Sequence, residues 1–174
     1  ETTIVALPGP PREMVPMWEN EVKPRLKLRF PGETILSRTL KTYSLSESKI
    51  NEMVQPLFNL GNPVLGIYAK PDGIQLRLIA RGDEAAQLLK SAENKLEEIL
   101  GNRVWGHDND TLAGVIGGWL SKRGLTLATM EDATGGALAS LLANTPDSAG
   151  FYRGGLVTRS GEIKVRWGVA EETI

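Results

Sequence analysis

Two strand-forming runs, residues 64–70 and 74–81, are separated only by Pro71-Asp72-Gly73. Proline presets a turn and glycine permits a tight reversal, so the two runs are predicted to lie antiparallel as a hairpin. In the second run Gln75, Arg77 and Arg81 alternate with Ile74, Leu76, Leu78 and Ala80, which gives one polar and one apolar face. A lone hairpin is marginal in water and needs a cover for that apolar face. The flanking sequence supplies two. Before the hairpin, Ser44-Leu45-Ser46-Glu47 has capping-box spacing and predicts a helix with Ile50, Met53, Val54, Leu57 and Phe58 on one face, frayed at its end by Pro56. After it, Asp83 is placed to cap a helix that runs to Leu100 and stops at Gly101. An extended run at residues 33–44 precedes this set, and Arg103-Val104-Trp105 opens a last strand. The order β-α-β-β-α-β is that of a split βαβ, or ferredoxin-like, sandwich, so the fold class is α/β of the α+β kind.

The flanks are less complete. Residues 2–7 read as a short strand ending at Pro8-Gly9-Pro10-Pro11, followed by a helix that places Met14, Trp18 and Val22 on one face, with Pro16 in its first turn. A strand and a helix cannot close a core, and the chain opens without methionine, so this piece reads as the tail of a larger domain. Beyond the loop Gly106-His107-Asp108-Asn109, a helix over about residues 110–123 carries the apolar stripe Leu112, Val115, Ile116, Trp119 and Leu120. A strand at 125–130, a small-residue helix at 137–144 and a strand from Gly155 follow, too little to complete a doubly wound sheet. The flanks are thus partial α/β segments.

Charge and composition narrow the functions. Twenty basic and 21 acidic side chains give a net charge of −1, so no global positive field recruits nucleic acid or an anionic membrane. Within residues 31–105, Glu47, Glu52, Asp72, Asp83, Glu84, Glu93, Glu97 and Glu98 offset the cations, so RNA binding is not expected. The absence of cysteine removes disulfides and thiolate chemistry, and the single histidine, His107, excludes multi-histidine metal centres. No metal ligand is assigned. No apolar run approaches the roughly 18 residues of a membrane span, and the expected location is the cytoplasm.

Few residues suggest chemistry. The passage from strand through Thr134-Gly135-Gly136 into a helix is the sharpest, because glycines let amides converge and a helix start offers N–H groups to a phosphate or an oxyanion. Lys164, near Gly154-Gly155 in the pattern, could pair with phosphate or serve as a base. His107 reads as a loop histidine beside helix-capping residues, and Trp18, Trp105, Trp119 and Trp167 as packing anchors. Gly114-Val115-Ile116-Gly117 matches a KH-type GxxG loop in letters only, being apolar and helical.

Taken in order, Leu7-Pro8-Gly9-Pro10-Pro11-Arg12-Glu13-Met14, the hairpin from Ile67-Tyr68-Ala69-Lys70 to Leu76-Arg77-Leu78, and Leu125-Thr126-Leu127-Ala128 running into Glu131-Asp132-Ala133-Thr134-Gly135-Gly136 resemble the CinA competence/damage-inducible family. The resemblance implies three parts: residues 1–30 as the end of a molybdopterin-binding-like domain linked to ADP-ribose pyrophosphatase activity, 31–105 as a KH-like middle domain, and 106–174 as the start of a nicotinamide mononucleotide deamidase domain. In that deamidase a serine in Glu-Ser-Cys-Thr-Gly-Gly is the nucleophile, and the tyrosine and lysine of Tyr-Ser-Asn-x-x-Lys assist proton transfer. Here those positions hold Asp132, Arg159 and Lys164, so only the lysine remains. The resemblance assigns Lys164 to catalysis and Thr134, Gly135 and Gly136 to substrate or anion binding, and expects this chain to be catalytically inactive. It implies a nucleotide of the nicotinamide mononucleotide or ADP-ribose class as ligand and a homodimer as assembly. It places no cofactor within this chain and a divalent metal in the preceding domain. A non-catalytic anion-binding or dimer-assembly module is the alternative.

Overall fold

The computed structural model describes residues 2–29, 32 and 34–173, apart from the side chains of Phe58 and Leu60. Two regions of the sequence reading therefore lie partly outside it: the start of the extended run at Glu33, and the Phe58 position on the first helix face.

The middle unit follows the predicted order. Strand β1 (Ile35–Thr42), helix α3 (Glu47–Val54), the hairpin β2 (Val64–Lys70) and β3 (Gly73–Arg81), helix α4 (Ala85–Leu100) and strand β4 (Val104–His107) make one four-stranded sheet in the order β2-β3-β1-β4. Every pairing is antiparallel, with Leu40 opposite Leu76 and Leu65 opposite Leu78. This is the split βαβ arrangement, in which each helix crosses from one strand to its second neighbour. Both helices pack on one face. Leu40, Ile50, Val54, Leu76, Leu78, Leu96 and Leu100 are fully buried there, so the period-two pattern of the strands meets the 3.6-residue pattern of the helices in one core. The caps differ in detail from expectation. Ser46, not Ser44, is the N-cap of α3, its hydroxyl accepting from the Lys49 amide at 3.2 Å, while Ser44 turns the chain at φ 59°. Asp83 does not cap α4: it lies in a turn whose Gly82 carbonyl accepts from the Ala85 amide at 3.1 Å. Pro56 does end α3, and a 3-10 turn at Gln55–Leu60 continues the chain.

At the start, residues 2–7 form no strand, and among the described residues no strand pairs with them. They run against the helical stretch α1 (Pro11–Met17), a π turn (Trp18–Val22) and α2 (Lys23–Arg29), which confirms and extends the predicted helix. The third unit comprises α5 (Leu112–Lys122), β5 (Leu127–Glu131), α6 (Ala137–Ala143), β6 (Tyr152–Val157) and α7 (Gly161–Arg166). Its two strands pair in parallel and have no further neighbours among the described residues.

The largest departure concerns α5. Leu112, Val115, Ile116 and Trp119 are exposed, and the face turned inward is Ala113 and Gly117, packed on the buried ring of Phe151, with Leu120 partly covered. Small residues allow the helix to approach that ring closely, and this contact defines its inner side. Trp18 and Trp167 are also exposed, so only Trp105 is half-buried as an anchor. Two adjacent glycines in α5 test the packing. A Cβ on Gly117 would stand 2.3 Å from Phe151 Cε1, whereas one on Gly118 would meet nothing within 4 Å. Gly117→Ala is expected to cost about 1–3 kcal/mol by overpacking. Gly118→Ala should stabilise by up to about 1 kcal/mol through helix propensity. Urea denaturation of the two variants checks both signs.

Candidate functional site

The parallel pair β5–β6 brings the predicted site residues to its carboxyl end, the usual location of ligand sites in parallel α/β units. Glu131 ends β5, and Asp132 to Gly136 form the turn into α6. Gly135 and Gly136 have φ of 59° and 94°, left-handed values that glycine adopts without penalty, and these bend the chain into the helix. Gly155 on β6 lets the helix settle on the strand, since a Cβ there would be 2.8 Å from Ala139 Cβ and 2.6 Å from Thr129 Oγ1. Gly155 therefore has a packing role, whereas a Cβ on Gly154 would meet nothing within 4 Å and its glycine is set by a φ of 130°.

The amides at the start of α6 already hold an anion. Leu138 N donates to Glu131 Oε2 at 2.9 Å, Ala139 N donates to Glu131 Oε1 at 2.7 Å, and the Thr134 hydroxyl donates to Oε2 at 2.7 Å. An external anion is expected on Thr134, Gly135 and Gly136, but the Thr134 hydroxyl is taken by the carboxylate of Glu131 and the Gly135 amide donates to the Asp132 carbonyl at 3.1 Å. Its residue is 5 % exposed, and the Thr134 hydroxyl, with the backbone amides of Ala139, Leu138 and Gly136, holds its pKa below the ordinary carboxylate value. Nothing in composition marks this glutamate. Its place at the head of Glu131-Asp132-Ala133-Thr134-Gly135-Gly136, with i, i+3 spacing to Thr134, is the signal that could have found it.

Asp132 and Lys164 come together from opposite sides of the site. Lys164, on α7, donates from Nζ to Asp132 Oδ2 at 2.5 Å, with the lysine side chain largely covered and the aspartate half-exposed. The lysine hydrogen bond, reinforced by the positive field of Lys164 and Arg159, holds the Asp132 carboxyl below its usual value. A cleft of about 320 Å³ opens over this pair, with Thr158 and Val169 in its wall. A larger cavity, about 530 Å³, lies between α5 and the loop after α6, but its charged side chains are Asp110 and Asp147, with no cation to receive a phosphate.

His107 does not sit in a loop: it ends β4, and its Nε2 lies 3.0 Å from Glu97 Oε1 and 3.8 Å from Glu93 Oε1. Ligand atoms of these three residues lie within 4.8 Å of one another. Glu93 is nevertheless matched already, because Arg38 Nε donates to its Oε1 at 2.6 Å and Lys90 Nζ to its Oε2 at 3.2 Å. A cation arriving there must compete with two resident ones.

The Glu131 contacts generate a pH dependence. Its folded pKa is depressed, so its contribution to stability is present above the unfolded carboxylate pKa and is lost as pH falls through the folded value. The Tm gap between the native chain and Glu131→Gln should be widest near neutrality and close as pH falls below about 4. A gap that is constant with pH would show that the charge of Glu131 does not matter.

Comparison with known proteins follows the same division of the chain. The family profile described as "Damage-inducible protein CinA KH domain" matches residues 37–106, and "CinA C-terminal domain" matches residues 109–174. Proteins named competence-damage inducible protein are similar over almost the whole chain. That of Caldanaerobacter subterraneus subsp. tengcongensis is 40 % identical over 173 residues, covering 98 % of this chain and 42 % of the relative. That of Moorella thermoacetica is 44 % identical over 173 residues, covering 97 % and 42 %. That of Caldicellulosiruptor saccharolyticus is 39 % identical over 175 residues, covering 98 % and 42 %. This chain therefore spans about two-fifths of the length of these relatives. The split βαβ sheet followed by a parallel β-α-β unit, and the two family matches that fall on them in the same order, establish that the chain belongs to the CinA family.

Proposed function

We propose that the third unit is related to nicotinamide mononucleotide amidohydrolases and is catalytically silent in this chain. The observation that carries this reading is the 2.5 Å contact between Asp132 and Lys164. Amide hydrolysis by a serine enzyme needs a hydroxyl oxygen to attack the carboxamide carbon, a base to take its proton, and an acid to return a proton to departing ammonia. Asp132 stands at the nucleophile position and has no hydroxyl, and its carboxylate engages the ammonium that would act as proton carrier. Thr134 offers an alternative hydroxyl in the same turn, but its proton is donated to Glu131. Arg159, at the tyrosine position, adds a second cation in place of a phenol. What the site retains is a cleft lined by Lys164, Asp132 and Glu131, with Arg159 contributing a positive field nearby, and a nucleotide phosphate would have to compete with Asp132 for Lys164. On this reading the parent protein serves pyridine nucleotide recycling in the cytoplasm, and this chain needs no cofactor of its own; any divalent metal belongs with the family's pyrophosphatase-like domain. Incubation with nicotinamide mononucleotide should release no ammonia above a protein-free blank. Release that disappears in Lys164→Ala would overturn the reading.

A second reading, a homodimeric assembly module, is favoured by a separate observation. Leu112, Val115, Ile116 and Trp119 form an exposed apolar face on α5, in the same unit as a two-stranded sheet that has no further strand neighbours among the described residues. Uncovered faces and edges of this kind favour pairing with another copy. Light scattering over a concentration series should give twice the chain mass, and Ile116→Glu should return it to the monomer. A monomer at every concentration would sink this reading.

A further inference from the structure

The charge count that argued against nucleic acid treats the middle unit as one body, but the sheet sorts its charges onto two sides. Glu47, Glu52, Glu93, Glu97 and Glu98 all lie on α3 and α4, which cover one face. The register fixes what the other face carries. Leu40, Leu76 and Leu78 point into the core, so the alternating positions Thr39, Lys41, Gln75 and Arg77 point away from it, together with Tyr68 and Lys70 of β2 and Arg81 of β3. No aspartate or glutamate occupies an outward position on these strands. Two acids border the face, each already engaged: Asp72, in the β2–β3 turn, accepts from Gln75 and lies 3.9 Å from Lys41, and Asp108, beyond β4, accepts from the Thr39 amide at 2.9 Å and pairs with Arg38. Lys70, Arg77 and Arg81 are exposed and have no ion-pair partner among the described residues.

An aromatic side chain sits within this basic track. Tyr68 is 47 % exposed and leans back over Gly66, where a Cβ would be 3.0 Å from the ring and its hydroxyl. A shallow groove of about 200 Å³ is lined by Thr39, Tyr68, Lys70, Gln75 and Arg77. From Lys70 at one end to Arg81 at the other, the track follows the β2–β3 pair for about 27 Å, at about 3.4 Å per residue. A ring available for stacking, flanked by cations along an open sheet, is complementary to a chain of bases on a phosphate backbone. A duplex offers its phosphates but keeps its bases stacked inside, so it cannot use the ring.

We propose that the open face of the β2-β3-β1-β4 sheet binds single-stranded nucleic acid, with Tyr68 stacking on a base and Lys70, Arg77 and Arg81 pairing with phosphates. The mode differs from that of a GxxG loop, whose only match here, Gly114 to Gly117, lies inside α5. The proposal concerns the middle unit and is independent of the deamidase reading. Fluorescence anisotropy of the full chain with labelled oligouridine and oligothymidine of about 12 nucleotides is the test. Both probes should bind with Kd of about 1–100 µM in about 50 mM salt, and about tenfold or more weakly in about 200 mM salt. Tyr68→Ala and Arg77→Glu should each weaken binding about tenfold, whereas Lys95→Glu, on the exposed side of α4, should change it less than twofold. Circular dichroism melts verify that each variant is folded. No binding at about 100 µM in low salt, equal binding of a duplex, or equal losses in Arg77→Glu and Lys95→Glu would each overturn the proposal.

Discussion

Strand β1 is the element on which the rest of the molecule depends. It is hydrogen-bonded on both sides, to β3 along Ile35–Thr42 and to β4 at its carboxyl-terminal half, so the hairpin and the last strand meet only through it. Its alternation divides the molecule. Leu40 and Thr42 go to the core, where the Thr42 hydroxyl donates to the Ile74 carbonyl, while Thr39 and Lys41 go to the open face. Arg38, at its midpoint, bridges two distant parts: Nε donates to Glu93 on α4 and Nη1 to Asp108 beyond β4. Hydrogen bonding to Glu93 raises the Arg38 pKa, and Arg38, with Lys90, lowers that of Glu93 against the cost of burial. Asp108 also accepts from the Thr39 amide at 2.9 Å, and Lys41 donates to the Asp110 carbonyl at 2.7 Å, so the connection toward α5 is held against the strand by charge-assisted bonds.

The third unit solves a different problem with fewer residues. Its buried cluster is small, Ala113, Leu142 and Phe151, so hydrogen bonds to one glutamate carry much of the local order. Glu131 ties the end of β5 to the start of α6, and its backbone carbonyl accepts from Thr158 N at 2.8 Å, which ties in the chain after β6. An internal carboxylate at a helix start is favourable for the same reason an external phosphate would be, and it needs no association entropy. One residue further on, Asp132 extends the same logic into the cleft: a fixed anion attracts Lys164 and leaves the site neutralised from within.

The alternation in residues 64–81 and the helix spacing around it made the middle unit legible, because there local period and global burial agree. The α5 stripe shows where this fails. A run of large apolar residues predicts a buried face only if something covers it, and here the cover is Phe151, which seats against a glycine and an alanine on the other side. Thr134 to Gly136 were recognisable as a strand-to-helix turn, yet the identity of the anion at that turn was not, since Glu131 looks like any strand-end glutamate.

The order of residues alone determined the split βαβ unit and the strand-to-helix turn, because both are written in short-range spacing. Only the tertiary structure decided that Glu131 fills the helix start, that Lys164 reaches Asp132 across 32 positions of chain, and that Lys70, Arg77 and Arg81 share the face of the sheet away from the glutamates of α3 and α4. The physical reason is that ion pairing and charge segregation depend on distance in space, and a charge count along the chain averages over the distances that set them.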